Sequence, residues 1–410
     1  MSGVKQYDYI VVGCGGIGSA TVYWLSKRAG KRVLGLEQFK LGHDNGGSQD
    51  HSRIIRLAYN ACEYIPLARG TYEAWGEAER ESGVQLVYKT GGLDIAKKGT
   101  PGHAVVEIFA RAMTEQNVDF ERYEGESIKK KYPQFAATPQ WTTLYQKDAG
   151  LVDAAMGNSV HIQLARKNGA TIIDDAAVIK IVKQGNLTKV CTSQGDFLCR
   201  KVILTAGAWM NDVLSSVGVK IPLTVTQEQV TYFGTPHMKE FTKDRCPIFI
   251  YHTGCGGEPY ALPLHGNTGF KIGIDAGGPT VTAQSRTFVP DPVREQKATD
   301  YVAEFCPRAL GPIIYSKTCL YAMTPDRNFV IDNCRKVGHP DVIFCCGAGH
   351  AFKFAAVLGR ILSQLAIDGK TTFNIAPFNM EREAITDPNF PKSFQLGLPE
   401  EEVANVHSKL

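Results

Sequence analysis

The order of segments along the chain predicts an α/β fold: a Rossmann-like, dinucleotide-binding domain that the chain leaves and re-enters, joined to an α+β domain with a mostly antiparallel sheet. Three observations carry this. Gly13-x-Gly15-x-x-Gly18 follows an apolar run ending at Val12 and opens a helix-like stretch. Between Gln227 and Lys317 the texture turns aromatic-rich and β-leaning, with Gly and Pro punctuation. Apolar, strand-like sequence then resumes at Val342–Phe344, followed by Gly347-Ala348-Gly349-His350 and a second helix-like stretch.

Taken in order, Tyr7–Val12 reads as a strand, Ile17–Arg28 as a helix and Arg32–Leu36 as a second strand with Glu37 at its end. Asp153–Asn168 reads as a helix, with Asp153 as N-cap and Met156, Val160 and Leu164 on one face. Ala177–Val182, Lys189–Thr192 and Phe197–Cys199 alternate as a meander running into Val202–Leu204, where Thr205-Ala206-Gly207-Ala208-Trp209 breaks the strand. A last helix is expected from about Phe352 to Ile367. The dinucleotide-binding domain is thus assigned residues 1–90, 145–225 and 320–385, and the inserted domain 91–144 and 226–319. A tail, 386–410, completes the chain.

Composition narrows the class. The 410 residues carry a formal charge of only +4, with Lys and Arg scattered, so no nucleic-acid partner is expected. No apolar run is long enough to span a bilayer, and the N-terminus lacks the pattern of a secretory signal. None of the eleven cysteines has Cys-x-x-Cys spacing, so no metal site is expected and most should be small buried hydrophobes. Ser408-Lys409-Leu410 reads as a peroxisomal address, which implies an import receptor as partner and favours an oxidase that makes peroxide.

The chemistry begins at the glycine fingerprint. Gly13 permits the tight turn, Gly15 lets the backbone approach a pyrophosphate, and Gly18 lets helix and strand pack closely. The helix N-terminus supplies N–H groups to the phosphates. Glu37, about 20 residues on, suits ribose hydroxyls and disfavours a 2′-phosphate. FAD and NAD both satisfy this motif. Arg53 and Arg56 flank two β-branched residues; on a strand they would face opposite ways, on a turn they could converge on a carboxylate. Lys271 and Lys353 each sit between apolar residues, where a cation either snorkels or meets an anion.

Several ordered blocks together resemble the monomeric sarcosine oxidases and the peroxisomal sarcosine and L-pipecolate oxidases. They are Ser52-Arg53-Ile54-Ile55-Arg56-x-Ala58-Tyr59, Gly269-Phe270-Lys271-Ile272-Gly273 and Lys317-Thr318-Cys319-Leu320-Tyr321. Further on come Thr324-Pro325-Asp326-x-x-Phe329-x-Ile331-Asp332, Gly349-His350-Ala351-Phe352-Lys353-Phe354 and Leu362-Ser363-Gln364-Leu365-Ala366.

The resemblance implies FAD, tethered by a thioether to Cys319, and an inserted sheet that covers the flavin. It places Arg56 and Lys353 on the substrate carboxylate, Arg53 against the isoalloxazine, and Lys271 near flavin N5 where oxygen is activated. Tyr260 and Tyr321 wall the substrate pocket. The helix after Gly349 is expected to aim its N-terminus at the flavin, and Ile17, Gln38, Gly47, Ser48, Val178, Gly207 and Trp209 complete the cofactor lining.

Two positions depart from the family: Gln49 and Asp275 stand where bacterial members carry histidine. A carboxylate at 275 could hold a cationic or hydroxylated part of a larger substrate. The implied activity is oxidation of a secondary amino acid by dioxygen, giving imine and hydrogen peroxide, in a monomer. Sarcosine-like N-methyl amino acids come first as substrates, then L-pipecolate or L-proline, then fructosyl amino acids. A flavin dehydrogenase with another acceptor and a flavin-loaded sensor are the rival readings.

Overall fold

The structure, a computed structural model, describes residues 4–266 and 269–392. Residues 408–410, and with them the tripeptide read as an address, lie outside the described residues.

A six-stranded sheet runs in the order Thr171–Ile173, Val33–Leu36, Tyr9–Val12, Lys201–Leu204, His339–Cys346 and Val330–Cys334. All neighbours are parallel except the last pair. Its central strands are apolar throughout because both faces are covered. Alternation divides them: Val11, Val33, Ile203 and Ile343 join one core with the helices, while Ile10, Val12, Leu34 and Leu204 join a second with the small meander sheet. The meander strands are Val178–Gln184, Leu187–Thr192 and Gly195–Cys199, as the alternation implied to within a few residues.

The first helix, Gly16–Ala29, is buried on nearly every side. It lies against Ala154–Lys167 and Ala355–Asp368, and the crossing is close: a Cβ at Gly359 would fall 2.5 Å from the backbone of Ala20. Asp153 caps Ala154–Lys167 by accepting from the Met156 N–H at 2.9 Å. Met156, expected on the apolar face, is instead exposed; it lies in the first turn, where the helix has only begun to enter the core.

An eight-stranded sheet draws on both halves of the excursion, in the order Ile313–Met323, Thr224–Phe233, Phe270–Asp275, Glu258–Leu262, Ile248–Tyr251, Gly92–Lys97, Trp141–Gln146, Glu121–Glu124. Only the pairing of Ile248–Tyr251 with Gly92–Lys97 is parallel. Boundaries placed after 144, 225 and 319 fall inside three of these strands, Trp141–Gln146, Thr224–Phe233 and Ile313–Met323. One face packs an aromatic core, including Phe233, Phe249, Phe270 and Phe305, under the helix Pro292–Phe305. Alternation therefore turns Lys271, Gly273 and Asp275 to the opposite face.

The chain re-enters the first domain with one correction to its expected helix. After Gly349 comes a 3₁₀ turn, Ala351–Phe354, and the α-helix proper starts only at Ala355. A four-residue 3₁₀ turn carries little macrodipole. The helix terminus expected to face the ligand is thus set back behind it. Further on, Ala384 is buried within the short helix Glu383–Thr386, at the point where the tail was expected to begin.

Candidate active site

A cavity of about 630 Å³ runs from the N-terminus of the first helix to the covered face of the large sheet. Its size is that of a ligand or cofactor site. Of the residues singled out in the sequence, Gly13, Gly15, Ile17, Glu37, Gln38, Gly47, Ser48, Arg53, Arg56 and Val178 line it. So do Gly207, Trp209, Tyr260, Lys271, Asp275, Tyr321, Gly349 and Lys353. Gly18 and Cys319 do not.

At one end the glycines do what the motif requires. A Cβ at Gly18 would lie 1.7 Å from the Gly13 carbonyl oxygen, so only glycine allows the helix to start there. Gly13 adopts φ +87, and its Cβ would meet the Thr205 carbonyl at 2.8 Å. The Ser48 hydroxyl accepts from the Gly16 N–H at 2.8 Å, and Glu37 accepts from the Cys14 N–H at 2.8 Å. A helix terminus, a close-approach cradle and a buried acid at the next strand end fit a dinucleotide.

At the other end, neighbouring strands set the wall by register. Tyr260 pairs with Gly273, Glu258 with Asp275 and Leu262 with Lys271. Gly273 makes room for a ring: its Cβ would fall 2.5 Å from the Tyr260 hydroxyl. Tyr260 therefore lies across the gap between the lysine and the aspartate.

Asp50 organises the cations here. Its carboxylate accepts from Lys271 at 2.6 Å, Arg53 at 2.7 Å and the Tyr232 hydroxyl at 2.5 Å. Burial works against its charge, yet Lys271 and Arg53 hold it far below the usual carboxylate range. Lys271, 2 % exposed, also donates to the Ser52 carbonyl at 2.6 Å. Burial pushes its ammonium down to about 8 despite Asp50, and Arg53 adds to the depression.

Arg53 and Arg56 lie at the two ends of one short strand, Arg53–Ile55, and Arg56 is already past it. Each is held by its own acid. Arg56 donates to Asp94 at 2.7 Å, and its Nε has no acceptor among the described residues. Asp94 also meets His252 at 2.8 Å, and the far side of that imidazole is 3.4 Å from Glu258, which lines the cavity. Burial disfavours the charged imidazole, but Glu258 and Asp94 raise it to about 9.

Lys353 differs. Its Nζ donates to the His350 carbonyl at 3.2 Å, and no carboxylate lies within ion-pair distance among the described residues. Burial pushes it down to about 7, with Arg56, Arg327 and Arg53 adding to this and Asp275 opposing.

Asp275, which could hold a cationic or hydroxylated part of a substrate, faces Arg327, whose Nη1 and Nη2 donate to it at 3.4 Å each. Arg327 is 1 % exposed and also donates from Nε to the Ala348 carbonyl at 3.1 Å. Cys319 lies half-buried beside these groups; burial pushes its thiol up to about 11 while Arg53 pulls it down.

Sequence reading assigned no role to Asp50, Asp94, His252, Glu258 or Arg327. Asp94 sits in the apolar strand Gly92–Lys97, the same signal that singled out Lys271. Asp50 stands inside the run Ser48–Arg56 that had been noted for its arginines. Arg327 carries no local mark.

Comparison with known proteins agrees with this geometry. The FAD dependent oxidoreductase family matches residues 8–365. Monomeric sarcosine oxidase of Arthrobacter sp. is 32% identical over 392 residues, covering 94% of this chain and 98% of that protein. N-methyl-L-tryptophan oxidase of Escherichia coli is 26% identical over 381 residues, covering 92% and 99%. The solved structure of NikD, an unusual amino acid oxidase essential for nikkomycin biosynthesis, shares the fold with a TM-score of 0.81 at 24% identity, covering 92% and 97%. A flavin supplies two-electron oxidation and reaction with oxygen in such a site, and the cradle and cavity described above suit it. The chain belongs to the FAD-dependent oxidoreductase family and, within it, to the sarcosine oxidases.

Proposed function

We propose that this protein oxidises secondary amino acids at a CH–NH bond, passing the electrons through FAD to dioxygen to give hydrogen peroxide. One observation carries the reading: Arg56 and Lys353 line the same end of the cavity as Tyr260 and Tyr321, and both still have donors to offer. Two cations with free donors bind a carboxylate and fix the α-carbon beside the reactive ring. Arg53 and Lys271, locked by Asp50, place positive charge where a reduced flavin and an incoming oxygen develop negative charge.

N-methyl amino acids of the sarcosine type are the first-ranked substrates, and cyclic imino acids such as L-pipecolate or L-proline the second. The wall acids Asp275 and Glu258 already face Arg327 and His252, which argues against a substrate group that needs a free carboxylate. Fructosyl amino acids therefore rank below both. A peroxide-coupled screen of these amines tests the order; peroxide from none of them rejects the oxidase reading. A dehydrogenase using another acceptor would be favoured by reoxidation in air no faster than that of free flavin.

Cys319 is the proposed tether. Acid-precipitated protein should stay yellow, and Cys319→Ser should release the colour; release from the parent protein removes the covalent claim. The tripeptide Ser408-Lys409-Leu410 supports a peroxisomal location and an import receptor as partner. The two sequence relatives named above come from Arthrobacter and Escherichia coli, so the tripeptide stands as its sole support. Diffuse cytosolic signal from a tagged chain keeping its own C-terminus would refute it.

A further inference from the structure

We propose that Lys353 accepts the ammonium proton of the incoming amino acid, so that one side chain both frees the amine for oxidation and becomes the cation that holds the carboxylate. This deepens the oxidase reading and rests on it.

The geometry sets Lys353 apart from the other cations of the site. Lys271, Arg53 and Arg56 each donate to a built-in carboxylate, at 2.6, 2.7 and 2.7 Å. An ammonium has three donors, and Lys353 uses one, on the His350 carbonyl at 3.2 Å. Around it stand Arg56, Arg53 and Arg327, with the charge of Asp275 opposing theirs. Asp275 itself faces Arg327. A half-buried lysine among three guanidinium groups is disfavoured in its charged form, and burial is the largest cause. At neutral pH it holds a lone pair for a good part of the time.

A secondary amino acid in water is a zwitterion, and its nitrogen must lose a proton before its lone pair can assist removal of the α-hydrogen. Other groups of the pocket are poor acceptors. Asp50 already serves Lys271, Arg53 and Tyr232, and Asp94 serves Arg56 and His252. The Tyr260 and Tyr321 hydroxyls hold their protons, because burial pushes both upward. The His350 imidazole is driven well below its ordinary value by burial and by Lys353 and Arg327, and its Nε2 meets the Arg327 carbonyl at 2.8 Å.

In an α-amino acid the nitrogen and the carboxylate share one carbon, so a group that touches the carboxylate is within reach of the amine. The substrate N–H bond breaks and a new N–H bond forms at Nζ of Lys353. The nitrogen regains its lone pair, the positive charge moves to the lysine, and no electrons change hands. The product of the transfer is a carboxylate beside an ammonium, which stabilises the proton where it has arrived.

The test is a proton balance on the holoenzyme at pH 8, by calorimetry in buffers of different ionisation enthalpy. The probe is methylthioacetate, which keeps the carboxylate and replaces the amine by sulfur. Its binding should draw roughly one proton from solvent, and in Lys353→Arg that uptake should vanish while binding persists. Flavin reduction by N-methylglycine at pH 7 should fall roughly 10²-fold in Lys353→Arg and recover as the pH rises toward the amine's own titration. Absence of uptake in the parent protein, or an unchanged reduction profile in Lys353→Arg, overturns the proposal. Uptake without flavin bleaching by any secondary amino acid would reject the oxidase reading while leaving proton acceptance by Lys353 in place.

Discussion

Two lysines face the same cavity and are built in opposite ways. Lys271 arrives with its counter-ion, since Asp50 and the Ser52 carbonyl each accept from it at 2.6 Å. Lys353 arrives without one. A buried cation that keeps its own acid is a fixed charge, insensitive to whether substrate is present. A half-buried lysine lacking an acid is a receptor, completed when the ligand brings the anion that favours its charge. In the proposed reaction one site would thus hold a standing field for oxygen chemistry and a conditional one for substrate.

Removing the fixed charge should have the largest effect. Lys271→Met should slow air reoxidation of the reduced enzyme by roughly 10²- to 10³-fold, with anaerobic reduction by N-methylglycine changed far less; stopped-flow separates the two half-reactions. Equal losses in both would erase the contrast between the lysines. Arg56→Met should weaken substrate binding by roughly 10- to 100-fold through loss of a charged hydrogen-bonding partner, seen as a raised KM with oxygen reactivity kept.

The same contrast has a pH signature. Lys271 is charged below its titration, which burial pushes down to about 8. Reoxidation should therefore be level in neutral solution and fall about tenfold per pH unit once the lysine loses its proton. A rate that rises with pH would mean that the lysine acts as a base and not as a charge. Asp275→Asn should have the smallest effect on turnover, within about twofold, because the acid serves Arg327; it should lower the melting temperature by a few degrees, since Arg327 is left with a weaker partner in a buried place. A large, substrate-dependent change in KM would restore Asp275 to the role first expected of it.

Four cations of this site were readable in the sequence; which acids pair with them was not. Lys271 and Lys353 stand out because a charge between apolar neighbours needs a reason, and Arg53 and Arg56 because they share a short apolar run. Asp50 lies only three residues from Arg53, but the other pairs span the chain: Asp94 is 38 residues from Arg56, Asp275 52 from Arg327, and Asp50 221 from Lys271. No local spacing encodes such pairs; the fold makes them. The same limit explains Asp275. Alone on its strand it looked available to a ligand, whereas the turn carrying Arg327, at φ +56, brings a guanidinium up beneath it. The strands Tyr9–Val12, Val33–Leu36 and Lys201–Leu204 were easier to read, because each is a local apolar run bounded by glycine or a polar turn.

The most direct test of the whole account is an anaerobic titration of the purified protein with N-methylglycine, set beside its methyl ester. The account predicts that the amino acid bleaches the flavin, that air restores the colour with one peroxide per flavin, and that the ester, lacking the carboxylate for Arg56 and Lys353, reduces it far more slowly. A flavin that stays yellow with every carboxylated secondary amine, or one bleached equally fast by the ester, would contradict it.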